Sequence, residues 1–277
     1  MLELLHISTK KVFSLDCKII DVHAHFFPDE LAQRAVDNLG NYYGLEMHCN
    51  GTFSDLKERA EKAGIYKLIV HSTALKANQV EVINTNTAAH TTENIAGFGT
   101  LHQDYEGDFE KEIKRIKSLG LKGIKLHPDF QHFNIDDKKM YPVYEIIRAE
   151  NLPVLFHTGD LKSPCSSPFR LGNVLRDFPG LTAIAAHYGG RDQWDEAVEH
   201  LYGKDVYIDT SSCHRALSHE ELKNLIRKHD IDKIMFGTDY PIETFEYCIE
   251  NHFLLGLTDE ENEKILYKNA NRLIFGE

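Results

Sequence analysis

Short apolar runs, rich in β-branched residues, recur along this chain and constrain its fold more than any other feature. Eight such runs are present, and helix-like stretches lie between them. After the first gap, successive runs begin roughly 25–30 residues apart, which leaves room for one loop, one helix and one return. The predicted strands are residues 18–22, 66–70, 95–101, 121–126, 153–156, 181–186, 205–208 and 233–236. Most of these runs are almost wholly apolar, as is typical of parallel strands covered on both faces.

The stretches between the runs are typical of amphipathic helices. Residues 109–119 place apolar side chains on one face and stop at Gly120. Ser218-x-x-Glu and Thr258-x-x-Glu are capping boxes that begin two later helices. Eight strands alternating with helices favour an α/β fold, a TIM or (β/α)₈ barrel. An open doubly wound sheet is the alternative, but no GxGxxG sequence follows the first strand.

Domain organisation follows from the absence of any linker. No Pro/Gly/Ser-rich stretch, charge block or low-complexity tract interrupts the pattern, so we expect one barrel domain over residues 18–277. Residues 1–17 then form an N-terminal extension. The connection after the first strand, residues 26–64, is long enough for two helices over the mouth of the barrel.

Charge and cysteine content exclude several classes of protein. Lys and Arg number 31 against 43 Asp and Glu, a net charge of −12 that opposes binding to nucleic acid and to anionic membranes. No segment has the apolar length of a membrane span, and charges interrupt the first residues, unlike a signal peptide. Five scattered cysteines without a CxxC pair argue against a disulfide framework and favour a reducing cytoplasm.

Histidines gather at the predicted strand ends, where barrels of this kind place their chemistry. Seven of the 16 histidines lie there, and metal binding explains that concentration. The seven are His23, His25, His71, His102, His127, His157 and His187. His23 and His25 are two residues apart on a strand, so both can face the barrel interior, with Asp21 one step deeper to orient a ligand.

One carboxylate completes a set of metal-binding side chains. His157 and His187 each close an apolar strand, and Asp239 follows the last strand, where a buried carboxylate is costly without a cation. Taken singly, each has a simpler interpretation as a core histidine or a turn aspartate. Their joint placement favours a metal site. Three imidazoles and one carboxylate suit zinc, with iron, manganese or cobalt as alternatives.

Other strand-end residues leave alternatives open. Lys125 shares one side of its strand with His127; it can contact substrate, be carboxylated to bridge two metals, or pair with an acidic residue. His127 is a candidate substrate contact or additional ligand. We interpret His71 and His102 as loop histidines near the rim. The sequence contains neither a GxSxG elbow nor a P-loop.

Five motifs in chain order, IIDVHAH, GIKLHP, PVLFHTGD, AAHYGG and MFGTDYP, resemble the amidohydrolase superfamily. The branch that they resemble most contains aminocarboxymuconate-semialdehyde decarboxylase. The likeness runs from Lys18 through the closing segment LTDEENEKILYKNANRLIFG. The resemblance implies a TIM barrel with a divalent metal at its C-terminal face, most simply one Zn²⁺, with a second metal left open by Lys125. It also suggests a homodimer.

The resemblance further implies roles for individual residues. The implied metal ligands are His23, His25, His157 and Asp239. The sixth-strand histidine, His187, would polarise water or contact substrate in a one-metal site, and would bind the second metal in a two-metal site.

Two reactions on a small-molecule substrate fit such a site. In the first, a metal-activated water cleaves an amide, lactone or ester bond while Asp239 moves a proton and His187 steadies the developing charge. The alternative is non-oxidative decarboxylation of a small unsaturated or aromatic acid. It needs a cation for the departing carboxylate, which Arg170, Arg191 or Lys162 can supply. A barrel that only binds metal or a small molecule is disfavoured, because simple metal binding needs no general base.

Overall fold

The computed structural model of the protein describes residues 17–276 and has a barrel of parallel strands at its centre. Eight strands hydrogen-bond in sequence order, each parallel to the next. They are β1 (Ile20–His25), β2 (Lys67–His71), β3 (Ile95–Thr100), β4 (Gly123–Leu126), β5 (Val154–Phe156), β6 (Ala183–Ala185), β7 (Tyr207–Asp209) and β8 (Ile234–Met235). The backbone N–H of Val22 donates to the carbonyl of Phe236 at 3.0 Å, which brings the end of β8 back beside β1. The predicted (β/α)₈ barrel is confirmed.

Helices connect the strands and continue after β8. They are α1 (Asp29–Tyr43), α2 (Phe53–Lys62), α3 (Val80–Ala89), α4 (Phe109–Ser118), α5 (Pro128–Gln131), α6 (Tyr141–Ala149), α7 (Pro168–Asp177), α8 (Trp194–His200), α9 (His219–Arg227), α10 (Phe245–Leu254) and α11 (Asp259–Glu263). Ser218 and Thr258 begin α9 and α11 with the predicted capping boxes. Two wider helical turns follow, Lys264–Lys268 and Asn271–Phe275.

The predicted N-terminal extension lies almost wholly outside the described residues, which omit residues 1–16 as well as Glu277. No helix within residues 17–276 is long and apolar enough to cross a membrane.

A change from apolar to polar packing inside the barrel sets the position of the site. An inner apolar cluster draws side chains from six strands, among them Ile69, Phe98, Leu155, Ile184 and Met235. Toward the C-terminal ends of the strands, the buried side chains become polar, among them His23, Lys125 and Asp209. Since buried polar groups need partners, this layer is where bound groups or hydrogen-bond networks are expected.

Strand β1 contains a bulge that changes which side chains face the barrel axis. Asp21 aligns with Leu68 of β2, and Ala24 aligns with Val70. An advance of three residues along β1 therefore matches an advance of two residues along β2. The additional residue breaks the two-residue alternation of side chains. The carboxylate of Asp21 accepts from the backbone N–H of His23 at 2.9 Å, so it contacts a predicted ligand residue through the backbone, and its expected role in orienting a ligand stays a prediction.

The long β1–β2 connection carries α1 and α2 and lies over the C-terminal ends of the strands, as predicted. The hydroxyl of Tyr42, in α1, donates to Asp160 after β5 at 2.9 Å. The guanidinium carbon of Arg191, after β6, lies 4.1 Å from the ring centroid of Tyr43. The end of α1 is therefore fixed against two of the loops that surround the site.

Candidate active site

His23 and His25, at the end of β1, and Asp239, after β8, bring their ligating atoms together. The two Nε2 atoms lie 3.2 Å apart, and Asp239 Oδ1 lies 3.4 Å from His23 Nε2 and 3.5 Å from His25 Nε2. Burial lowers the pKa of both imidazoles well below its usual value, so both rings are neutral. Two imidazole nitrogens and a carboxylate oxygen thus face one point.

Asp209, the last residue of β7, fixes the orientation of the His23 ring. Its Oδ2 lies 2.8 Å from His23 Nδ1. Because this carboxylate oxygen accepts the hydrogen bond, Nδ1 of the neutral ring carries the proton and Nε2 carries the lone pair. Asp209 Oδ1 accepts from the backbone N–H groups of His187 and Ser211, each at 3.0 Å, and from Ser211 Oγ at 2.5 Å. Asp209 directly follows the predicted strand 205–208, but local sequence assigns it no role, because its partner His23 is 186 residues away.

Lys125, in β4, reaches the same group of atoms. Its Nζ lies 3.0 Å from His23 Nε2, and the side chain is fully buried. Burial lowers the pKa of Lys125 to about 8, and the nearby Asp239 and Asp209 oppose that shift. Within residues 17–276 no acidic side chain lies at ion-pair distance from Lys125. Of the three alternatives, substrate contact and carboxylation therefore fit its position better than a structural ion pair.

His157 and His187 follow β5 and β6. They form a pair beside the group of His23, His25 and Asp239. His187 Nε2 lies 3.0 Å from His157 Nδ1, and His187 Nδ1 lies 2.9 Å from Ser211 Oγ. Burial lowers the pKa of both histidines, so both are neutral. The ring centroids of His23 and His187 are 5.1 Å apart, so His187 joins this pair to the first group. His157 contacts His187 rather than His23 and His25, and its role as a ligand stays a prediction.

His127 forms a flat wall beside this pair. Its ring stacks on His157 with 3.9 Å between centroids and on Phe130 with 4.0 Å. Asp129 Oδ2 lies 3.7 Å from His157 Nε2, so His127, Asp129 and His157 bring three candidate ligand atoms close together. Parallel rings direct their nitrogens along parallel lines, however, and an ion needs lone pairs that converge. The stacked arrangement suits the predicted contact of His127 with substrate better than a role as a second-metal ligand.

His71, the last residue of β2, belongs to the site. The sequence had been interpreted as placing it in a loop near the rim of the barrel. It is fully buried, and its ring centroid lies 4.3 Å from that of His25 and 5.1 Å from that of His23. Neither of its ring nitrogens has a hydrogen-bond partner. The available signal was its position at the end of an apolar strand, the same signal that singled out His157. For His102 the loop interpretation fits, since its Nδ1 accepts from the backbone N–H of Asp104 at 3.1 Å.

The three cationic candidates for substrate binding differ in their surroundings. Arg170 donates to Asp136 Oδ1 at 2.6 Å, so a carboxylate of the chain already pairs with it. Lys162 is exposed and donates to the backbone carbonyl of Tyr42. Arg191 packs on the ring of Tyr43, and its charge lowers the pKa values of Asp239, His157 and His187. Substrate binding by any of the three stays a prediction.

The donor set of this site fits a divalent metal. Because Asp209 holds the proton on His23 Nδ1, the lone pair of His23 Nε2 points toward His25 and Asp239. Imidazole nitrogen together with carboxylate oxygen is a ligand combination of zinc and related metals. The buried, unpartnered nitrogens of His71 beside them are atoms that a nearby cation or its water would satisfy. The arrangement can therefore hold a metal at the C-terminal face of the barrel.

A family model described as amidohydrolase matches residues 20–275. The chain belongs to the amidohydrolase family. The match extends from the first residue of β1 to the last helical turn, and it includes every side chain of the site described above.

Two curated relatives align with parts of this amidohydrolase. A 2-keto-4-carboxy-3-hexenedioate hydratase of Sphingobium sp. (strain NBRC 103272 / SYK-6) is 23% identical over 228 residues, covering 65% of this chain and 66% of the relative. Decarboxylase orsB of Emericella nidulans is 25% identical over 162 residues, covering 57% of this chain and 44% of the relative. The chain thus aligns with less than two thirds of the length of either relative.

Solved structures show the same fold at low sequence identity. An uncharacterised TIM-barrel protein of Bordetella bronchiseptica has a TM-score of 0.73 and 21% identity, with 92% of this chain and 98% of that chain covered. The 5-carboxyvanillate decarboxylase of Sphingomonas paucimobilis has a TM-score of 0.70 and 15% identity, with 94% and 99% covered. A dihydroxybenzoic acid decarboxylase of Polaromonas sp. JS666, solved with bound manganese, has a TM-score of 0.69 and 16% identity, with 93% and 96% covered.

Proposed function

We propose that this amidohydrolase is a metal-dependent hydrolase that uses water to cleave an amide, lactone or ester bond in a small organic substrate. The position of Asp239 carries the proposal. One of its oxygens lies 3.4 Å from His23 Nε2 and 3.5 Å from His25 Nε2, while the other accepts from Ser212 Oγ at 2.7 Å. The carboxylate is thereby anchored among the candidate ligand nitrogens, where a proton must be moved during hydrolysis.

The proton affinity of Asp239 suits this task. Burial raises its pKa to about 7, although the charges of Arg191 and Lys125 and a hydrogen bond from Ser212 act in the opposite direction. A group with a pKa near neutrality can accept a proton and return it within one catalytic cycle. This is the role that we assign to Asp239.

His23, His25 and Asp239 would hold the metal, with His157 as the further ligand implied by the family resemblance. A bound divalent metal supplies polarisation of a carbonyl oxygen and a lower pKa for water. Asp239 takes a proton from water as the water oxygen bonds to the carbonyl carbon. It then returns that proton to the nitrogen or oxygen that leaves. His187, neutral and anchored through Ser211, stabilises the oxygen that gains charge.

Non-oxidative decarboxylation is the second candidate, and Arg191, which packs on Tyr43 over the barrel, can supply the cation that the departing carboxylate needs. In that reaction the bond between carbon and the substrate carboxylate breaks and CO₂ leaves. The electron pair left on carbon then takes a proton from protonated Asp239. The decarboxylases among the relatives and structural neighbours support this candidate. The hydrolase candidate has a structural neighbour of its own, assigned as a 2-pyrone-4,6-dicarboxylic acid hydrolase.

Zinc is the metal that we propose, since a set rich in imidazole nitrogen suits it. The manganese in the Polaromonas structure makes Mn²⁺ the first alternative to test. We also propose that the protein acts in the cytoplasm and as a homodimer, without nucleic acid or membrane partners. Bound metal is measured by elemental analysis of protein purified without added metal or an affinity tag.

Isotope labelling of the product separates the two reactions. Metal-loaded protein is incubated in H₂¹⁸O with small lactones, esters, amides and unsaturated or aromatic acids. Hydrolysis places one ¹⁸O in the product per turnover and releases no CO₂, whereas decarboxylation releases one CO₂. We expect ¹⁸O incorporation, and CO₂ release without it would contradict the proposal.

The matched variants for this assay are Asp239→Asn and Asp37→Asn. Asp239→Asn removes the proton acceptor, and we expect turnover to fall about 10²–10⁴-fold. Asp37 is an exposed residue of α1, and its variant should retain turnover. Unchanged turnover in Asp239→Asn would remove this residue from the mechanism.

A further inference from the structure

His157 and Asp129 carry buried polar atoms that lack partners. Nε2 of His157 and both carboxylate oxygens of Asp129 are buried and make no hydrogen bond within residues 17–276. His157 Nε2 and Asp129 Oδ2 lie 3.7 Å apart, slightly beyond hydrogen-bond distance. Burial raises the pKa of Asp129, and the nearby Ser166 and Ser163 oppose that rise. Because unpartnered buried polar atoms are costly, a state of the site that pairs these atoms is favoured.

The other ring nitrogen of His157 lies on the side of the candidate metal site. Nδ1 of His157 is 3.0 Å from His187 Nε2, and the ring centroid of His187 is 5.1 Å from that of His23. His127 stacks on the His157 ring with 3.9 Å between centroids and 9° between planes, which restrains the ring from tilting. The two nitrogens of His157 therefore have different surroundings: Nδ1 lies beside the histidines of the site, and Nε2 lies beside a carboxylate.

A hydrogen bond through Ser211 determines which nitrogen of His187 carries the proton. Ser211 Oγ has one proton, which it donates to Asp209 Oδ1 at 2.5 Å, so it accepts from His187 Nδ1 at 2.9 Å. The neutral His187 ring then has its lone pair at Nε2, and in the absence of a metal His157 Nδ1 donates to it. That donation leaves a lone pair at His157 Nε2 beside Asp129, with an acceptor facing an acceptor.

A bound metal changes the position of the proton on His157. If Nδ1 gives its lone pair to a metal, the single proton of the neutral ring must be at Nε2. Nε2 can then donate to Asp129 Oδ2, and both of these atoms gain a partner. The pair of His157 and Asp129 is thus satisfied in the metal-bound state and unsatisfied without the metal.

We propose that Asp129 is a positioning residue of the metal site, which accepts from His157 Nε2 and thereby directs His157 Nδ1 at the metal. Asp209 acts in the opposite sense on His23, where it holds the proton at Nδ1 and leaves Nε2 for the metal. The two histidines therefore bind through different nitrogens. This inference rests on the proposed function, because it requires His157 to bind the metal.

Nitrogen NMR of protein with ¹⁵N-labelled histidine rings measures the proton position on His157. Its signals are identified by their absence from the spectra of His157→Gln. In metal-free wild type we expect the proton at Nδ1, and after loading with Zn²⁺ we expect it at Nε2. Zinc-loaded wild type with the His157 proton still at Nδ1 would overturn the inference.

Zinc affinity of variants tests the contribution of Asp129. Asp129→Leu removes the acceptor, and competition with a fluorescent chelator should show an affinity about 10–100-fold below wild type. Asp129→Asn keeps an amide oxygen that can accept from Nε2, so its loss should be less than about tenfold. Asp104→Leu, at an exposed position after β3, is the control and should bind zinc as wild type does. Circular dichroism shows whether each variant is folded.

A folded Asp129→Leu variant with wild-type zinc affinity would also contradict the inference. Neither NMR nor zinc competition needs turnover, so both results are independent of the reaction. A protein that shows the expected change on His157 but hydrolyses no substrate refutes the hydrolase proposal alone. A hydrolase whose zinc affinity is unaffected by Asp129→Leu refutes this inference alone.

Discussion

Replacing Asp209 by Asn tests how His23 is held ready to bind a metal. The Oδ1 atom of Asp209 receives three donors, two backbone N–H groups and Ser211 Oγ, whereas Oδ2 receives only His23 Nδ1. The single oxygen of Asn will remain with the three donors, and its NH₂ group will face His23. The ring then accepts at Nδ1 and moves its proton to Nε2, the atom that must bind the metal.

The expected loss follows from the strength of such supporting contacts. Removing the partner that orients a ligand histidine typically lowers metal affinity about 10–100-fold, equivalent to roughly 1.4–2.8 kcal/mol. Competition with a fluorescent zinc chelator measures this loss directly. Circular dichroism of the metal-free variant shows whether the fold has been retained.

Asp21→Asn is the matched control for this experiment. Asp21 is equally buried and also contacts His23, but through the backbone N–H at 2.9 Å and not through the ring. Burial raises its pKa to about 7, so an uncharged side chain is a modest change there. Zinc affinity within a factor of two of wild type is expected for Asp21→Asn. If Asp209→Asn also keeps wild-type affinity, the tautomer argument is refuted.

Three further predictions concern stability and the buried lysine. Burial lowers the pKa of His252 to about 4, so the unfolded chain binds a proton between about pH 6.5 and 4 that the folded chain does not, and stability falls as pH drops through this window. Between pH 7 and pH 4.5 the free energy of unfolding of His252→Gln should fall by about 3 kcal/mol less than that of wild type. Urea unfolding at the two pH values measures this, and equal falls in the two proteins would contradict it. Leu155→Ala, inside the barrel, should lower the free energy of unfolding by about 2–5 kcal/mol; a change under 1 kcal/mol in urea would show that the inner layer is loosely packed. Lys125→Met should preserve the fold and one bound zinc but abolish binding of a second metal if carboxylated Lys125 bridges two ions; elemental analysis showing two equivalents in the variant would exclude that role.

The barrel and its strand-end histidines could be predicted because they depend on local sequence. The apolar runs are short stretches of sequence, and His23, His25 and Asp239 each lie within three residues of the end of such a run. The capping boxes at Ser218 and Thr258 are likewise local, since each needs only four residues.

The remaining parts of the site depend on distant contacts. The bulge in β1 arises from pairing with β2, and no period in the sequence of β1 reveals it. Asp209 acts on a residue 186 positions away, and Tyr43 meets Arg191 only because α1 folds over the barrel. His71 ends an apolar strand just as His157 follows one, so local sequence does not distinguish a histidine of the site from one at the rim.

The contact between the first and last strands also determines when the site can exist during synthesis. The backbone N–H of Asp239 donates to the carbonyl of His23 at 2.7 Å, which joins the end of β1 to the segment after β8. A ribosome delivers His23 and His25 well before Asp239. On the proposed metal site, a growing chain would carry two exposed imidazoles first, and the complete ligand set would form only when the barrel closes. Metal loading in the cell would then report barrel closure.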